Sequence, residues 1–257
     1  MQYFSVAEAI TMPGLRLVLS AGVPGPWGEA AKAMLHARNV PFAAVAQEPM
    51  GANEALCEWT GHRNAPTAVY DDEPPLTSWF DILMLAERLG SGPSLLPTAS
   101  ADRVLCLGLI MEICGQDGFG WNRRLNMLAG VWGAQDVADA APHERAYIRQ
   151  YGLSPQAVAR APDRVADILK MLAARLHAQK AAGSDYLVGE RLTAADLYWA
   201  CFSQLVRPLP KEVNPIPDYV WDFYSVMPDV VAAALDPILF AHRDRIYAHH
   251  IGLPLDY

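Results

Sequence analysis

The stretch that decides the fold is LRLVLSAGVPGPWGEAAKAMLHAR, residues 15–38. The apolar run at 15–20 predicts a strand, and the alanine-rich segment at 29–38 predicts a helix. Between them lies a turn, Gly22-Val23-Pro24-Gly25-Pro26-Trp27-Gly28. A strand that leads into a helix through a glycine-rich turn directs backbone N–H groups and the positive end of the helix dipole at one point, which suits an anion. The turn contains no Cys, Ser, Thr or Tyr, so it has no side chain that could act as a nucleophile.

Composition and charge exclude several classes of partner. The chain has 257 residues, of which 52% are hydrophobic and 19% charged, as in globular proteins with a sizeable core. Its net charge of −8 argues against nucleic acid or an anionic membrane as the main partner, because both bind basic surfaces. The densest basic spots, Arg123-Arg124 and Arg243-Asp244-Arg245, are short and are interpreted as solvated helix faces.

Targeting and metal-binding signals are also weak. The apolar run at 104–111 is well short of the roughly 18 residues that a membrane span needs. The start, Met1-Gln2-Tyr3-Phe4, lacks the basic and apolar regions of a signal peptide, so we expect a cytoplasmic protein. The four cysteines form no CxxC pair and no cluster with zinc-ligand spacing, so we expect no metal site.

The first third of the chain alternates strand and helix signals. Ser5 is a candidate N-cap for a short helix, strands are predicted at 15–20, 41–46 and 67–70, and helices at 29–38, 53–60 and 78–89. Leu76 could belong to one more short strand. This order predicts an α/β unit that ends at a Gly/Pro-rich linker near residues 91–97.

The rest of the chain has almost no strand signal. Apolar spacing predicts helices at 101–114, 163–181, 219–226 and 230–247, with Pro162 placed to start the second of them. Thr193 followed by Asp196 is a capping box that begins another helix. The predicted domains are therefore residues 1–92, α/β with a short N-terminal extension, and residues 98–257, all α.

Four motifs in this order resemble the glutathione S-transferase superfamily. KAMLHARNVPF (32–42) is similar to the family's first helix and second strand. NAPTAV (64–69) is similar to the strand whose proline follows a cis peptide bond in the family. LTSWFDIL (76–83) and LVGERLTAAD (187–196) are similar to the ligand-clamping segment and to the capping motif of the second domain. The resemblance implies a thioredoxin-like N-terminal domain, an all-α C-terminal domain and a homodimer.

The resemblance also implies glutathione as co-substrate. Pro66 would follow a cis peptide bond and the backbone of Ala65 would pair with the cysteinyl backbone of glutathione; the alternative is an ordinary trans proline that starts a strand. The family lowers the pKa of the glutathione thiol with a Tyr or Ser hydroxyl, or uses a Cys. Here that position is Gly25, so the remaining candidates are the hydroxyl of Ser20 and the N–H groups of Trp27 and Gly28.

The pair that holds the γ-glutamyl group in the family also differs. Here it is Ser78-Trp79, in which Ser78 can still bind a carboxylate and Asp81 could replace the missing anion for the ammonium group. Trp79 could stack on a ligand or pack between the domains. In the second domain, Trp121, Arg123 and Arg124 follow a glycine-broken stretch and could line the pocket for the second substrate, or form a helix kink with a solvated arginine pair.

The sequence supports two functions. The first is a transferase that joins the glutathione sulfur to a small, apolar, electrophilic molecule. The alternative is a protein of the same fold that binds ligands or partners and has lost thiol activation. In both cases the resemblance carries more weight for the fold than for the activity.

Overall fold

The N-terminal part of the chain is a four-stranded sheet with helices around it. In a computed structural model, residues 1–133 and 140–257 are described, with Trp132 described by its backbone alone. The elements follow one another in chain order: β1 (Tyr3–Phe4), α1 (Val6–Ala9), β2 (Leu15–Ser20), α2 (Pro26–Ala37), β3 (Ala43–Gln47), α3 (Glu54–Thr60), β4 (Thr67–Tyr70) and α4 (Trp79–Leu89). The predicted alternation of strands and helices is confirmed, and α2 begins three residues before the expected start.

The sheet brings the Gly22–Gly28 turn next to the end of β3. Its strand order is β1-β3-β2-β4, with β2 parallel to β3 and antiparallel to β4. Ser20 at the end of β2 is in register with Gln47 at the end of β3. Leu76 forms a single antiparallel bridge to Ala68 rather than a strand of its own. The sheet therefore has the thioredoxin-like mixture of parallel and antiparallel strands.

The C-terminal part is helical throughout the described residues. Its helices are α5 (Ser100–Cys114), α6 (Phe119–Trp132), α7 (Pro142–Tyr151), α8 (Pro155–Ala181), α9 (Ala194–Phe202), α10 (Asp218–Ser225), α11 (Asp229–Ala232) and α12 (Pro237–Ile246). A 3-10 turn (Ser203–Leu205) follows α9, and a π-helical turn (Tyr247–Ile251) follows α12.

Two helices differ from the sequence prediction. Helix α8 begins at Pro155, not after Pro162, because the hydroxyl of Ser154 accepts the Ala157 N–H at 3.2 Å and caps the earlier start; Pro162 lies inside the helix. The single helix predicted at 230–247 is divided into α11 and α12. The division falls where the Asp236 carboxylate caps the Ile238 N–H at 2.9 Å ahead of a proline.

The two basic spots are not the solvated helix faces expected from the sequence. Arg123 is 1% exposed and donates hydrogen bonds to the carbonyl oxygens of Leu205, Tyr224 and Val226. Arg243 is also buried and donates to the Arg207 carbonyl oxygen at 2.6 Å. Both arginines hold loop backbone in place, a role that depends on tertiary contacts and leaves no local sequence signal.

A common hydrophobic core fixes the two parts against each other. Trp27 at the start of α2 packs edge-on against Phe202, with ring centroids 4.7 Å apart, and its Nε1 donates to the Cys114 carbonyl oxygen at 2.9 Å. Buried Lys32 on α2 donates to the Asp256 carbonyl oxygen at 2.7 Å. The first turn of α2 is therefore held by the helical domain as well as by the sheet.

The predicted capping box at α9 is confirmed and extends further than two residues. The fully buried Asp196 carboxylate accepts the N–H and the hydroxyl of Thr193, both at 2.8 Å, and the Leu187 N–H at 2.7 Å. His242 Nε2 lies 2.9 Å from the same carboxylate. Asp196 thus joins α9, the preceding loop and α12.

Candidate functional site

A cavity of about 710 Å³ lies between the sheet domain and the helical domain. Five of the sequence-predicted site residues line it: Ser20, Trp27, Ala65, Pro66 and Ser78. Gly28 and Asp81, the other two, are not among its lining residues. Residues from β2, α2, the loop before β4 and the start of α4 thus meet at one place.

The first turn of α2 leaves two backbone N–H groups without helical acceptors. Gly25 is the N-cap and has no side chain to cap the helix, and Pro26 has no N–H. The first intrahelical bond is donated by the Glu29 N–H to the Gly25 carbonyl oxygen at 2.9 Å. The N–H groups of Trp27 and Gly28 have no helical acceptor, and of the two residues Trp27 lines the cavity. The first turn of α2 offers an anion the helix dipole and these N–H groups.

The hydroxyl of Ser20 is close to this turn but already has an acceptor. A Cβ atom added at Gly25 would lie 3.5 Å from Ser20 Oγ, so the hydroxyl borders the position at which the sequence resemblance implies a nucleophile. Ser20 donates its proton to Gln47 Oε1 at 2.8 Å, and Gln47 Nε2 donates to the Arg63 carbonyl oxygen at 3.2 Å. The Arg63 carbonyl fixes the orientation of the amide, so a Ser20 donor must rotate away from Gln47 before it can serve a thiolate.

The Ala65–Pro66 peptide bond is cis, which confirms the expectation from the resemblance. It lies in the cavity wall directly before β4. Beside it, Asn64 Nδ2 donates to Gln150 Oε1 at 2.6 Å, and both residues line the cavity. This bond joins the loop before β4 to helix α7 across the cavity.

The start of α4 contributes Ser78 and Trp79. Ser78 Oγ accepts the Phe80 N–H at 3.2 Å and the Asp81 N–H at 3.4 Å, which leaves its own hydroxyl proton to donate. Asp81 is exposed and lies outside the lining. Trp79 lines the cavity and also packs on Tyr198, with ring centroids 6.2 Å apart. The position of Trp79 is compatible with both roles considered for it, stacking on a ligand and packing between the domains.

The helical wall contains residues that sequence reasoning identified only in part. Trp121 and Arg124 line the cavity, whereas Arg123 on the same helix does not. Sequence reasoning missed four tyrosines of this wall, Tyr147, Tyr151, Tyr219 and Tyr224. The spacing of four between the first two, which places both on one face of α7, was the only available signal.

Three of these tyrosines, Tyr147, Tyr151 and Tyr224, act electrostatically on the guanidinium of Arg124. Nearby phenol oxygens raise the pKa of Arg124 despite its burial, while burial raises the pKa of Tyr151 and Tyr224. The group is therefore one cation among neutral phenols at neutral pH.

The described residues also bear on metal binding and on membrane crossing. Within residues 1–133 and 140–257, no three His, Cys, Asp or Glu side chains are grouped so that they could hold a metal ion. In the same part of the chain, no helix combines the length and the apolar character needed to cross a membrane.

Comparison with known proteins agrees with this architecture. Residues 144–219 match the family model of the glutathione S-transferase C-terminal domain. No match was found among curated protein sequences.

Solved structures of the same fold include three bacterial proteins. A glutathione S-transferase from Methylobacterium radiotolerans, solved with glutathione sulfonate, is 19% identical, has a TM-score of 0.60, and aligns over 91% of each chain. A glutathione transferase family member from Pseudomonas fluorescens, solved with two glutathione molecules, is 16% identical, has a TM-score of 0.60, and aligns over 96% of each chain. A theta-class enzyme from Xanthomonas axonopodis pv. citri, solved with glutathione, is 18% identical, has a TM-score of 0.58, and aligns over 93% of this chain and 94% of its own. The family match thus covers residues 144–219, and the fold of the whole chain is similar to that of glutathione S-transferases.

Proposed function

We propose that this protein binds glutathione in the cavity between its domains and transfers the glutathione sulfur to a small electrophilic molecule. The observation that carries the proposal is the convergence of Ser20, the N-terminus of α2, the Ala65–Pro66 bond and Ser78 on one cavity. Glutathione or glutathione sulfonate bound in solved structures of the same fold supports the choice of ligand.

Each part of glutathione has a proposed partner. The thiol lies at the first turn of α2, near the N–H groups of Trp27 and Gly28. The cysteinyl backbone pairs with the backbone of Ala65. Ser78, whose hydroxyl proton is free to donate, binds the γ-glutamyl carboxylate. Asp81 remains the candidate for the ammonium group, and from its exposed position outside the cavity lining it would contribute little.

The proposed reaction is a substitution at an electrophilic carbon. The thiol proton passes to solvent, the thiolate forms a C–S bond, and the leaving group departs with the electron pair of the bond that breaks. Lowering a thiol pKa by about two units takes about 2.7 kcal/mol of preference for the thiolate. A helix N-terminus contributes about 0.3–1 kcal/mol at an exposed site. The helix dipole alone therefore falls short, and without a side-chain hydroxyl committed to the thiolate we expect weak thiol activation.

A second function is favoured by two specific observations. Gly25 stands where a nucleophile or hydroxyl donor is expected, and the proton of Ser20 is committed to Gln47. A protein of this fold that binds glutathione or another small acid without catalysis would show both features. The two functions differ in turnover and share the binding site.

Calorimetric titration with glutathione, followed by conjugation of an aryl halide across pH, separates the two functions. The transferase predicts binding and turnover, with Ser78→Ala weakening binding and Ser20→Ala lowering turnover at unchanged binding. Ser225→Ala, in which a hydroxyl that donates to a helix carbonyl is removed outside the cavity lining, is the matched control. Binding without turnover supports the non-catalytic function, and no binding by the folded protein rejects both.

The remaining expectations belong to the same proposal. The chain is divided into two domains, residues 1–92 and 98–257, acts in the cytoplasm and takes an apolar electrophile as second substrate.

The chain forms a homodimer through the surface of α4 and α5, where Phe80, Val104 and Met111 are 40%, 72% and 42% exposed. Light scattering of Val104→Asp against Val230→Asp, an exposed valine on α11, tests this surface. Loss of the dimer in the first variant alone is the expected result.

A further inference from the structure

Arg124 is the one charged side chain among the described residues that line the cavity. The described lining contains no Asp or Glu, and its other polar side chains are amides, hydroxyls, phenols, indoles, one thiol and one histidine. A cavity with one cation and no acidic side chain favours a ligand with a negative charge on that side. Arg124 lies on α6, in the wall opposite the sheet domain.

Among the described residues, no carboxylate forms an ion pair with this cation. The described groups that act on the guanidinium of Arg124 are the phenols of Tyr147, Tyr151 and Tyr224. Its Nε is buried and has no hydrogen-bond partner. A partly buried guanidinium with an unused Nε–H donor and no described carboxylate partner can take an anionic ligand as its counter-charge.

The walls beside Arg124 suit a flat ring. Trp121 and Tyr151 lie with ring centroids 4.6 Å apart, and Tyr147 and Tyr151 with centroids 5.2 Å apart. The Trp121 indole N–H donates to the Tyr151 carbonyl oxygen at 3.1 Å, which fixes the ring. Aromatic faces of this kind pack against aromatic ligands.

We infer that the helical wall of the cavity binds an aromatic acid, with its carboxylate or sulfonate on Arg124 and its ring against Trp121 and Tyr147. The site gives the second substrate its class: an electrophilic arene that carries a negative charge. As a statement about the substrate of conjugation the inference rests on the proposed function, whereas the anion site can be tested without turnover.

Arginine is suited to this task because its planar fork donates two parallel hydrogen bonds to a carboxylate. A hydrogen bond to a charged group corresponds to about a 10- to 100-fold change in binding. Arg124→Gln should therefore weaken binding of the acid about 10- to 100-fold and leave a neutral analogue almost unchanged. Arg124→Lys keeps the charge but not the planar pair of donors, so its affinity for the acid should lie between those of the unaltered protein and Arg124→Gln.

The binding arm uses dinitrobenzoate and dinitrobenzamide, which have no leaving group and differ in charge. Quenching of tryptophan fluorescence reports their binding because Trp27 and Trp121 line the cavity. In the unaltered protein the acid should bind about 10-fold or more tightly than the amide. Equal affinities would overturn the inference, and this comparison needs no variant to fold.

The catalytic arm uses a chlorodinitrobenzoate and its carboxamide, with each kcat/KM divided by the rate of the same compound with free glutathione. The expected result is a preference for the acid that Arg124→Gln removes. Arg160→Gln is the matched control, because Arg160 is exposed, pairs with Asp117 at 2.8 Å and lies outside the lining. Conjugation of both compounds without a preference would overturn the inference and leave the proposed function in place.

Two other outcomes are informative. Preferential binding of dinitrobenzoate without conjugation of either chloro compound supports the anion site and rejects the transferase. If Arg124→Gln instead weakens glutathione binding, or raises the pKa of the bound thiol and slows both substrates equally, Arg124 serves glutathione and the inference is overturned.

Discussion

Replacing Gly25 with serine should give the site the hydroxyl donor that it lacks. Gly25 has φ −63° and ψ 109°, a conformation open to any residue. A Cβ atom there would lie 3.5 Å from Ser20 Oγ and 3.8 Å from Ser20 Cβ, which are ordinary contacts. The new side chain therefore fits without displacing its neighbours. Because serine is only slightly better than glycine as an N-cap, the melting temperature should change little.

The expected gain follows from the strength of one hydrogen bond to a thiolate. Such a bond contributes about 1.5–3 kcal/mol, which lowers the pKa of the bound thiol by about 1–2 units. For a thiol that starts near a pKa of about 8.5, the thiolate fraction at about pH 6.5 rises from about 1% to about 10–50%. A less basic thiolate is a weaker nucleophile, with a slope of about 0.4–0.5, so the rate at that pH rises only about 3- to 8-fold.

The same reasoning predicts that the two pH profiles cross. At about pH 9.5 both thiols are ionised, and Gly25→Ser should then be about 3- to 8-fold slower than the unaltered protein. The assay is conjugation of an aryl halide at saturating glutathione, together with titration of the bound thiol by its ultraviolet absorbance. Gly25→Ala adds the Cβ without the hydroxyl and is the control. Parallel profiles, or an equal change in the alanine variant, would refute the assignment of Gly25 to the thiol position.

Three further predictions concern stability. Gly120→Ala should lower the free energy of unfolding in urea by about 1–3 kcal/mol, because its Cβ would come within 2.6 Å of the Phe202 ring. Asp196→Asn should lower it by about 1–3 kcal/mol, since the new NH₂ group faces a buried N–H donor. A hydrogen bond from His177 holds the pKa of Asp236 below its usual 3.8, so the unfolded state takes up this proton first as pH falls. The stabilising contribution of Asp236 is thus present above pH 3.8 and is lost as the pH falls through the lowered pKa of the folded state. In Asp236→Asn, the free energy of unfolding should therefore depend less on pH in the acidic range.

Local signals in the sequence were sufficient for most of the fold. The apolar run of β2 and the glycine-rich turn that follows identify a strand and a helix without reference to the rest of the chain. Pro162 misled because proline is compatible with a helix start, and the true start at Pro155 depends on the Ser154 cap. The long C-terminal helix was predicted from apolar spacing alone, which does not register a second cap at Asp236.

The site was predictable where one segment supplies it and unpredictable where several meet. Ser20 and Ser78 were found because each lies at the end of a recognisable element. The commitment of the Ser20 proton to Gln47 is a contact between two strands that no local pattern reveals. The cluster of Arg124 with Tyr151 and Tyr224 joins three helices, so no local pattern reveals it. In the sequence, Arg123 and Arg124 resemble an ordinary pair of surface arginines, although Arg123 is buried.

Tyr224 contacts both Arg124 and the Gly22–Gly28 turn, and the way its hydroxyl is used argues against a role for Arg124 in thiol activation. The Tyr224 hydroxyl donates to the Pro24 carbonyl oxygen at 3.3 Å, and its oxygen interacts with Arg124. Tyr224 therefore lies between the Arg124 cation and the turn as a neutral phenol, and it donates its only proton to the Pro24 carbonyl oxygen. Arg124 should therefore govern which arene binds, while Gly25 governs the ionisation of the thiol. If so, Gly25→Ser and Arg124→Gln alter different steps, and their effects on the free energy of activation should add within about 0.5 kcal/mol in the double variant.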